Sequence, residues 1–205
     1  MNISYAITVC NEFDELKRLL ELLLNYKRKE DEVVVLFDKG NGTPEVWSYL
    51  QKNKKHIKLE AKTFKHHFAD WKNYLSSLCS GTYIFQIDAD EYMKHEFITL
   101  LPSILKSNSN IDMFLVPRIN TVEGLTQEYI NKWRWNVDEK GWVNFPDYQY
   151  RIWKNIEDIK WVNKVHEILV GYKEYCTLPG DSLYCLIHPK TIERQEKQNN
   201  FYDTL

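Results

Sequence analysis

Apolar residues follow two rhythms along the chain. Ile3–Val9 (ISYAITV) is a β-rich, nearly unbroken apolar run. At Asn11 the period changes, and Phe13, Leu16, Leu19, Leu20, Leu23 and Leu24 recur at helical spacing. Asn11 is the predicted N-cap, with Asp14 three residues later. Val33–Phe37 (VVVLF) is apolar on both faces, as in the middle of a parallel sheet. Asp38–Pro44 (DKGNGTP) is a loop by composition, followed by a short helix over Glu45–Asn53 and a strand over Ile57–Ala61. Asp70 is the predicted cap of a helix carrying Trp71, Tyr74, Leu75 and Leu78, which Ser80-Gly81 ends. Tyr83–Ile87 (YIFQI) is the next strand and runs into Asp88-Ala89-Asp90-Glu91.

Strand and helix therefore alternate through the first half, which predicts right-handed βαβ units and a mostly parallel sheet. The second half is less regular. It predicts helices over Ile98–Leu105, Gln127–Trp135 and Thr191–Tyr202, a strand over Met113–Val116, and β-like segments over Gln149–Trp153 and Lys164–Val170. The fold class is α/β: a Rossmann-type half with a mostly parallel sheet flanked by helices, then a mixed β half. With 205 residues, one domain is expected, divided into a first half (1–92) and a second half (93–205). The chain stops in a charged helix without a tail, consistent with one module of a longer polypeptide.

Charge narrows the function. A net charge of −2 and a pI near 6.3 argue against binding nucleic acid through a phosphate-neutralising surface. The N-terminal apolar stretch is too short for a signal peptide and lacks a basic leader. No window approaches about 18 consecutive apolar residues, so no membrane span is expected. Cys10, Cys79, Cys176 and Cys185 have no C-x-x-C spacing and fit buried thiols in a reducing, cytoplasmic setting. Cys176 and Cys185 flank a Pro-Gly turn that would let them face each other, though a disulfide there is the minority expectation.

The sharpest motif is YIFQIDADEY, residues 83–92. An apolar strand delivers Asp88 and Asp90, at i and i+2, into the loop at its carboxyl end, where open α/β sheets bind ligands. Two carboxylates on one side form a hard-oxygen site for Mg²⁺ or Mn²⁺, with diphosphate oxygens completing the shell. A solvated acidic loop is the plainer reading, but the position after a buried strand favours function. Thr8, Asn11 and Glu12 lie at the first strand end and helix start, where anions and polar ligand groups are favoured. Neither a dinucleotide fingerprint nor a P-loop is present. Asp38 ends the second strand and either meets a base or ribose or merely starts a turn. PDYQYRIWKN (146–155), KVHEIL (164–169) and LIHP (186–189) bring Asp147, His166, Glu167 and His188, candidates for a base and a further metal or phosphate ligand.

Taken together, ITVCNEFDELKRLLELL, VVVLFDKGNG, FADWKNYLSSLCSGTYIFQIDADE, GWVNFPDYQYRIWKN, KVHE and LIHPKTIERQ resemble, in order and spacing, family-2-like glycosyltransferases of the GT-A fold. The branch is the one that includes lipopolysaccharide-core glucosyltransferases, with further similarity to small glycosyltransferases of large DNA viruses that infect algae. One departure is Phe37-Asp38-Lys39-Gly40, where family members often carry Asp-Asp-Gly-Ser; a single acid is left to recognise the base. The resemblance implies an inverting transfer from a UDP-sugar to a carbohydrate or glycoconjugate acceptor, with Mn²⁺ or Mg²⁺, residues 1–92 being the UDP-sugar-binding half and 93–205 the acceptor-binding half. It implies that Thr8 and Asp38 contact the nucleoside and that Lys72 lies near uracil or the diphosphate. Asp88 then faces ribose and metal, with Ala89 beside it on the nucleotide side. Asp90 binds the metal, and His188, with His166 as competitor, is the third contact.

For the acceptor hydroxyl, Asp147 is the expected base and Glu167 the runner-up. Trp153 and Trp161 are expected in the core, and Trp133, Trp135 and Trp142 in an acceptor groove. Arg118, Arg134 and Arg151 are structural or meet the diphosphate. A nucleotidyltransferase is disfavoured because CNEFDE, after the first strand, is acidic and free of glycine. A binding module of the same fold without turnover is the alternative.

Overall fold

The computed structural model describes residues 1–202, with side chains through residue 199. The elements in chain order are β1 (Ile3–Val9), α1 (Phe13–Tyr26), β2 (Glu32–Asp38), α2 (Pro44–Asn53), β3 (Lys58–Lys62), α3 (Phe68–Ser77), β4 (Tyr83–Asp88) and α4 (His95–Ser107). They continue with β5 (Met113–Glu123), α5 (Gln127–Trp133), β6 (Val143–Lys154), β7 (Lys160–Val162), β8 (Ile168–Val170), β9 (Tyr175–Thr177), β10 (Leu186–Thr191) and α6 (Ile192–Tyr202).

Eight strands form one sheet in the order β10-β5-β6-β4-β1-β2-β3, with β9 also paired to β5. The pairs β3-β2-β1-β4 are parallel, as the alternation of strand and helix predicts. β6 lies antiparallel between β4 and β5, so it joins the parallel part to the second half. β7 and β8 make a separate antiparallel pair.

The strand period of two sorts side chains onto two faces. Ile3, Tyr5, Ile7, Val33, Val35, Phe85 and Ile87 pack with Leu16, Leu19, Leu20 and Leu23 of α1 and Phe97, Ile98 and Leu101 of α4. Ala6, Val34, Leu36 and Ile84 face the other way, against Ala69 and Leu75 of α3, Trp153 and Trp161. Each buried leucine contributes roughly 1.5–3 kcal/mol. Gly81 lets β4 start against β1: a Cβ there would meet the Ser4 backbone N at 2.6 Å, and its own N–H donates to Ser4 Oγ.

Several boundaries differ from the sequence reading. The N-cap of α1 is Glu12, without a side-chain cap bond, rather than Asn11. Glu12 instead turns its carboxylate back to accept from Cys10 N and Asn11 N. α3 starts at Phe68, and His67 caps it through Nδ1, accepting from Asp70 N. Asp70 thus sits in the first turn, where an acid suits the helix dipole. β5 and β6 run far beyond Met113–Val116 and Gln149–Trp153 because they pair with each other through a bulge near Arg118–Asn120. In the stretch 164–170 only Ile168–Val170 is strand. Left-handed backbone at Asn163 (φ 77°) and His166 (φ 52°) breaks the extended run, so His166 and Glu167 lie on a loop. The four cysteines are free thiols, Cys176 and Cys185 included, and burial pushes Cys10 and Cys79 up to about 12. Among the described residues, no helix is long and apolar enough to cross a membrane.

Candidate active site

The carboxyl ends of β1 and β4 meet side by side, with Thr8 in register with Asp88. Thr8 Oγ1 donates to Asp88 Oδ1 at 3.2 Å, and the Thr8 carbonyl accepts from Ala89 N at 3.2 Å. Ala89 is buried, and its N–H is spent on this tie. Gln86 Nε2 adds a longer bond to Asp88 Oδ1. Arg151 of β6 donates from Nη2 to Asp88 Oδ2 at 2.7 Å and to Glu91 Oε1 at 2.6 Å. Burial alone would raise the Asp88 pKa, but Arg151, then Lys72 and Arg118, outweigh it and hold the carboxyl far below the usual range.

Glu91 is the hub beneath these groups. It is 0% exposed, and its Oε2 accepts from Asp88 N while Oε1 also accepts from Arg118 Nη1. Arg118 in turn donates through Nε and Nη2 to Asp147 Oδ2 at 2.9 and 2.7 Å. Asn120 Nδ2 reaches the same oxygen at 2.8 Å, and Gln149 Nε2 reaches Asp147 Oδ1 at 2.6 Å. Burial, which would raise the Asp147 pKa, is overcome by Arg118 and these donors, so the carboxyl titrates below its ordinary value.

Asn120 also fixes an imidazole. The Asp147 carboxylate only accepts, so Nδ2 of Asn120 faces it and Oδ1 faces His188 Nδ1, 2.9 Å away. Nδ1 therefore carries a proton. Nε2, 3.2 Å from Asp90 Oδ2, then either carries a second proton or turns a lone pair alongside the carboxylate. The latter places one imidazole nitrogen and one carboxylate oxygen together, a donor pair that suits Mn²⁺ or Mg²⁺ once phosphate oxygens complete the shell. Asp88 stands beside them with both oxygens hydrogen-bonded, and no cluster of three His, Cys, Asp or Glu side chains forms among the described residues. The hydrogen bond and charge of His188 outweigh burial and lower the Asp90 pKa.

The remaining predicted residues scatter around this centre. Asp38 is buried and holds its own loop: Oδ1 accepts from Gly40 N and Phe64 N, and Oδ2 from Asn41 Nδ2. Asn11 is exposed. Burial raises the Glu12 pKa despite its backbone bonds. Lys72 of α3 pairs with Glu167, and its Nζ lies 4.3 Å from the Trp161 ring centroid. The two groups thus occupy each other. Trp153 and Trp161 are buried, whereas Trp133 and Trp135 stack in a half-exposed aromatic group with Tyr129, and Trp142 meets Phe145.

The sequence pattern gives Glu91, Asn120, Gln86 and Arg194 no role, and marks Arg118 and Arg151 only as structural or diphosphate-contacting. The signal was present: Gln86 and Arg151 are polar residues inside apolar strands, YIFQI and YRIW. Burying such groups is costly unless they are bonded to something. Gln86 Oε1 and Arg151 Nε, on neighbouring strands, have no partner among the described residues.

The fold is shared with S. aureus TarS. A structure of its residues 1–349 aligns with a TM-score of 0.64 at 15% identity, covering 92% of this chain and 60% of that one. A complex of the same fragment with UDP-GlcNAc gives a TM-score of 0.63 at 15% identity, covering 93% and 59%. The chain thus spans about 60% of the length of that fragment and 37% of the longer TarS chain. No curated protein matches it in sequence. Residues 4–166 match the model of the family described as Glycosyl transferase family 2, and the chain belongs to that family.

Proposed function

We propose that the protein is an inverting, metal-dependent glycosyltransferase that moves a sugar from a UDP-sugar to a carbohydrate or glycoconjugate acceptor. Its motif set points within the family to the lipopolysaccharide-core glucosyltransferase branch. The observation that carries the reading is the meeting of Asp90 Oδ2 and His188 Nε2 beside the β1 and β4 ends. TarS, similar in fold, has been captured with UDP and with UDP-GlcNAc.

In this reading Thr8 and Asp38 shape the nucleoside side of the site, with Asp88 fixed between Thr8 and Arg151. Asp90 and His188 would hold Mn²⁺ or Mg²⁺, which when bound neutralises charge on the leaving diphosphate. The acceptor oxygen attacks the anomeric carbon from the face opposite the diphosphate, and the bond from that carbon to the diphosphate oxygen breaks. The hydroxyl proton passes to Asp147 Oδ1, which carries one hydrogen bond, from Gln149, against three on Oδ2. Glu167, paired with Lys72, is the second choice.

One observation favours a second reading, a nucleotide- or glycan-binding module without turnover: the Asp147 carboxyl is well bonded and titrates low, which makes it a weak base. Calorimetric titration with UDP, GDP and CMP, with and without Mn²⁺, tests the donor assignment. UDP alone should bind tightly and only with metal, and Asp90→Ala should weaken it by about a hundredfold or more. Equal binding of the three nucleotides would overturn the reading. Hydrolysis or transfer of a UDP-sugar separates enzyme from module.

A further inference from the structure

Arg194 differs from the other cations near the site. It arrives on α6 rather than on the sheet, and its guanidinium touches three acids. Nη1 lies 2.6 Å from Glu15 Oε1, and Nη2 lies 3.5 Å from Glu12 Oε1 and 3.3 Å from Asp90 Oδ2. Its side chain is 32% exposed and forms part of the wall of a cavity of about 350 Å³, together with Asn11, Glu12, Glu15 and Thr191. Asp90 Oδ2 is the same oxygen that faces His188.

We propose that Arg194 contacts the donor's diphosphate, exchanging the carboxylate oxygens of Glu12 and Asp90 for phosphate oxygens when the donor binds. The inference rests on the donor reading above and adds a leaving-group residue to it. Three features support it. A diphosphate attached to a cation on Asp90 and His188 has to lie beside the guanidinium, because Arg194 and His188 share one carboxylate oxygen. The planar guanidinium fork matches phosphate oxygens as well as it matches carboxylates. Among its described side chains, the helix that carries it makes mostly polar contacts. Ile192 is the one buried side chain among those described on α6, and its ties are polar, including Tyr129 Oη to Glu196 at 3.1 Å. Moving Arg194 by the width of a phosphate group therefore disturbs little apolar packing among the described residues. As the bond from the anomeric carbon to the diphosphate breaks, negative charge grows on the leaving group and the contact strengthens, so Arg194 favours the transition state over the bound donor.

Calorimetry with uridine, UMP and UDP at fixed Mn²⁺, on the wild type, Arg194→Ala and Arg194→Lys, tests this. Arg194→Ala should lose about ten- to a hundredfold in UDP affinity, the value of one or two charge-assisted hydrogen bonds, and leave uridine unchanged. Arg194→Lys should recover part of the loss. Equal weakening of uridine and UDP in Arg194→Ala, or no weakening of UDP while the wild type still prefers UDP to uridine, overturns the role of Arg194 alone. A wild type that binds UDP no better than uridine overturns the donor reading, and this inference with it.

Discussion

The two halves of the sheet supply polar groups in different ways. In residues 1–92 the inner strands β1, β2 and β4 are buried on both faces, and the groups of interest stand at strand ends: Thr8, Asp38, Asp88. In residues 93–205 they stand along the strands, at every second position of one face. Arg118 and Asn120 on β5, and Asp147, Gln149 and Arg151 on β6, alternate in this way and converge on Glu91 and His188. A parallel sheet covered by helices has free space only at its ends. The antiparallel ribbon of β5 and β6 has a face to offer. The first half thus offers strand ends and the second half a strand face, which under the proposed function are the donor and acceptor sides.

Three substitutions test that contrast, the largest expected effect first. Asp147→Asn should reduce transfer by about 10²–10⁴-fold while UDP affinity stays near wild type, as for loss of a general base. Glu167→Gln should retain most activity. The opposite result would move the base to the loop before β8. Arg151→Met should cost about 3–5 kcal/mol in urea unfolding, because it leaves the acids Asp88 and Glu91 without their shared cation. A loss below about 1 kcal/mol would mean that the two halves do not depend on this charge at their junction.

The smallest effect belongs to Asp112, at the start of β5. Its bond to Lys154 and the backbone N–H groups of Lys173 and Glu174 lower its pKa to about 2. A depressed carboxyl contributes stability above its unfolded pKa near 4, and that stability fades as pH falls towards about 2. Asp112→Asn should therefore cost about 1 kcal/mol at neutral pH and nothing near pH 2, read by unfolding midpoints across that range.

The same contrast explains what could be read from the sequence. The parallel half follows from apolar runs and helical spacing, and strand ends are visible where an apolar run meets an acid, as at Ile87-Asp88. That junction marks Asp88 and Asp90 as candidates, whereas His188 is a candidate through the LIHP segment and the resemblance. Asp147 was noticed, but the alternation Asp147, Gln149, Arg151 was not recognised as one polar face, because tyrosines fill the positions between and half-exposed tyrosine fits either side of a strand. Glu91 was hidden by its neighbours, one acid among three. Arg194 sits in a polar helix whose docking onto α1 and Asp90 spans the length of the chain, and no local pattern encodes such a contact. The capping error at Asp70 was local: His67 offered an imidazole lone pair three residues earlier.

The position of β4 has a consequence for engineering. Its neighbours are β1 on one side and β6 on the other, and Asp88 is held from both, by Thr8 and by Arg151. A chimera that exchanges residues 93–205 to change acceptor preference has to bring an arginine at the place of Arg151 and another at the place of Arg118. Without them the graft would seat a foreign ribbon on Asp88 and the fully buried Glu91, with neither of the arginines that bond them. The admissible donors for such a swap are chains that carry this arginine pair, whatever the rest of their acceptor surface looks like.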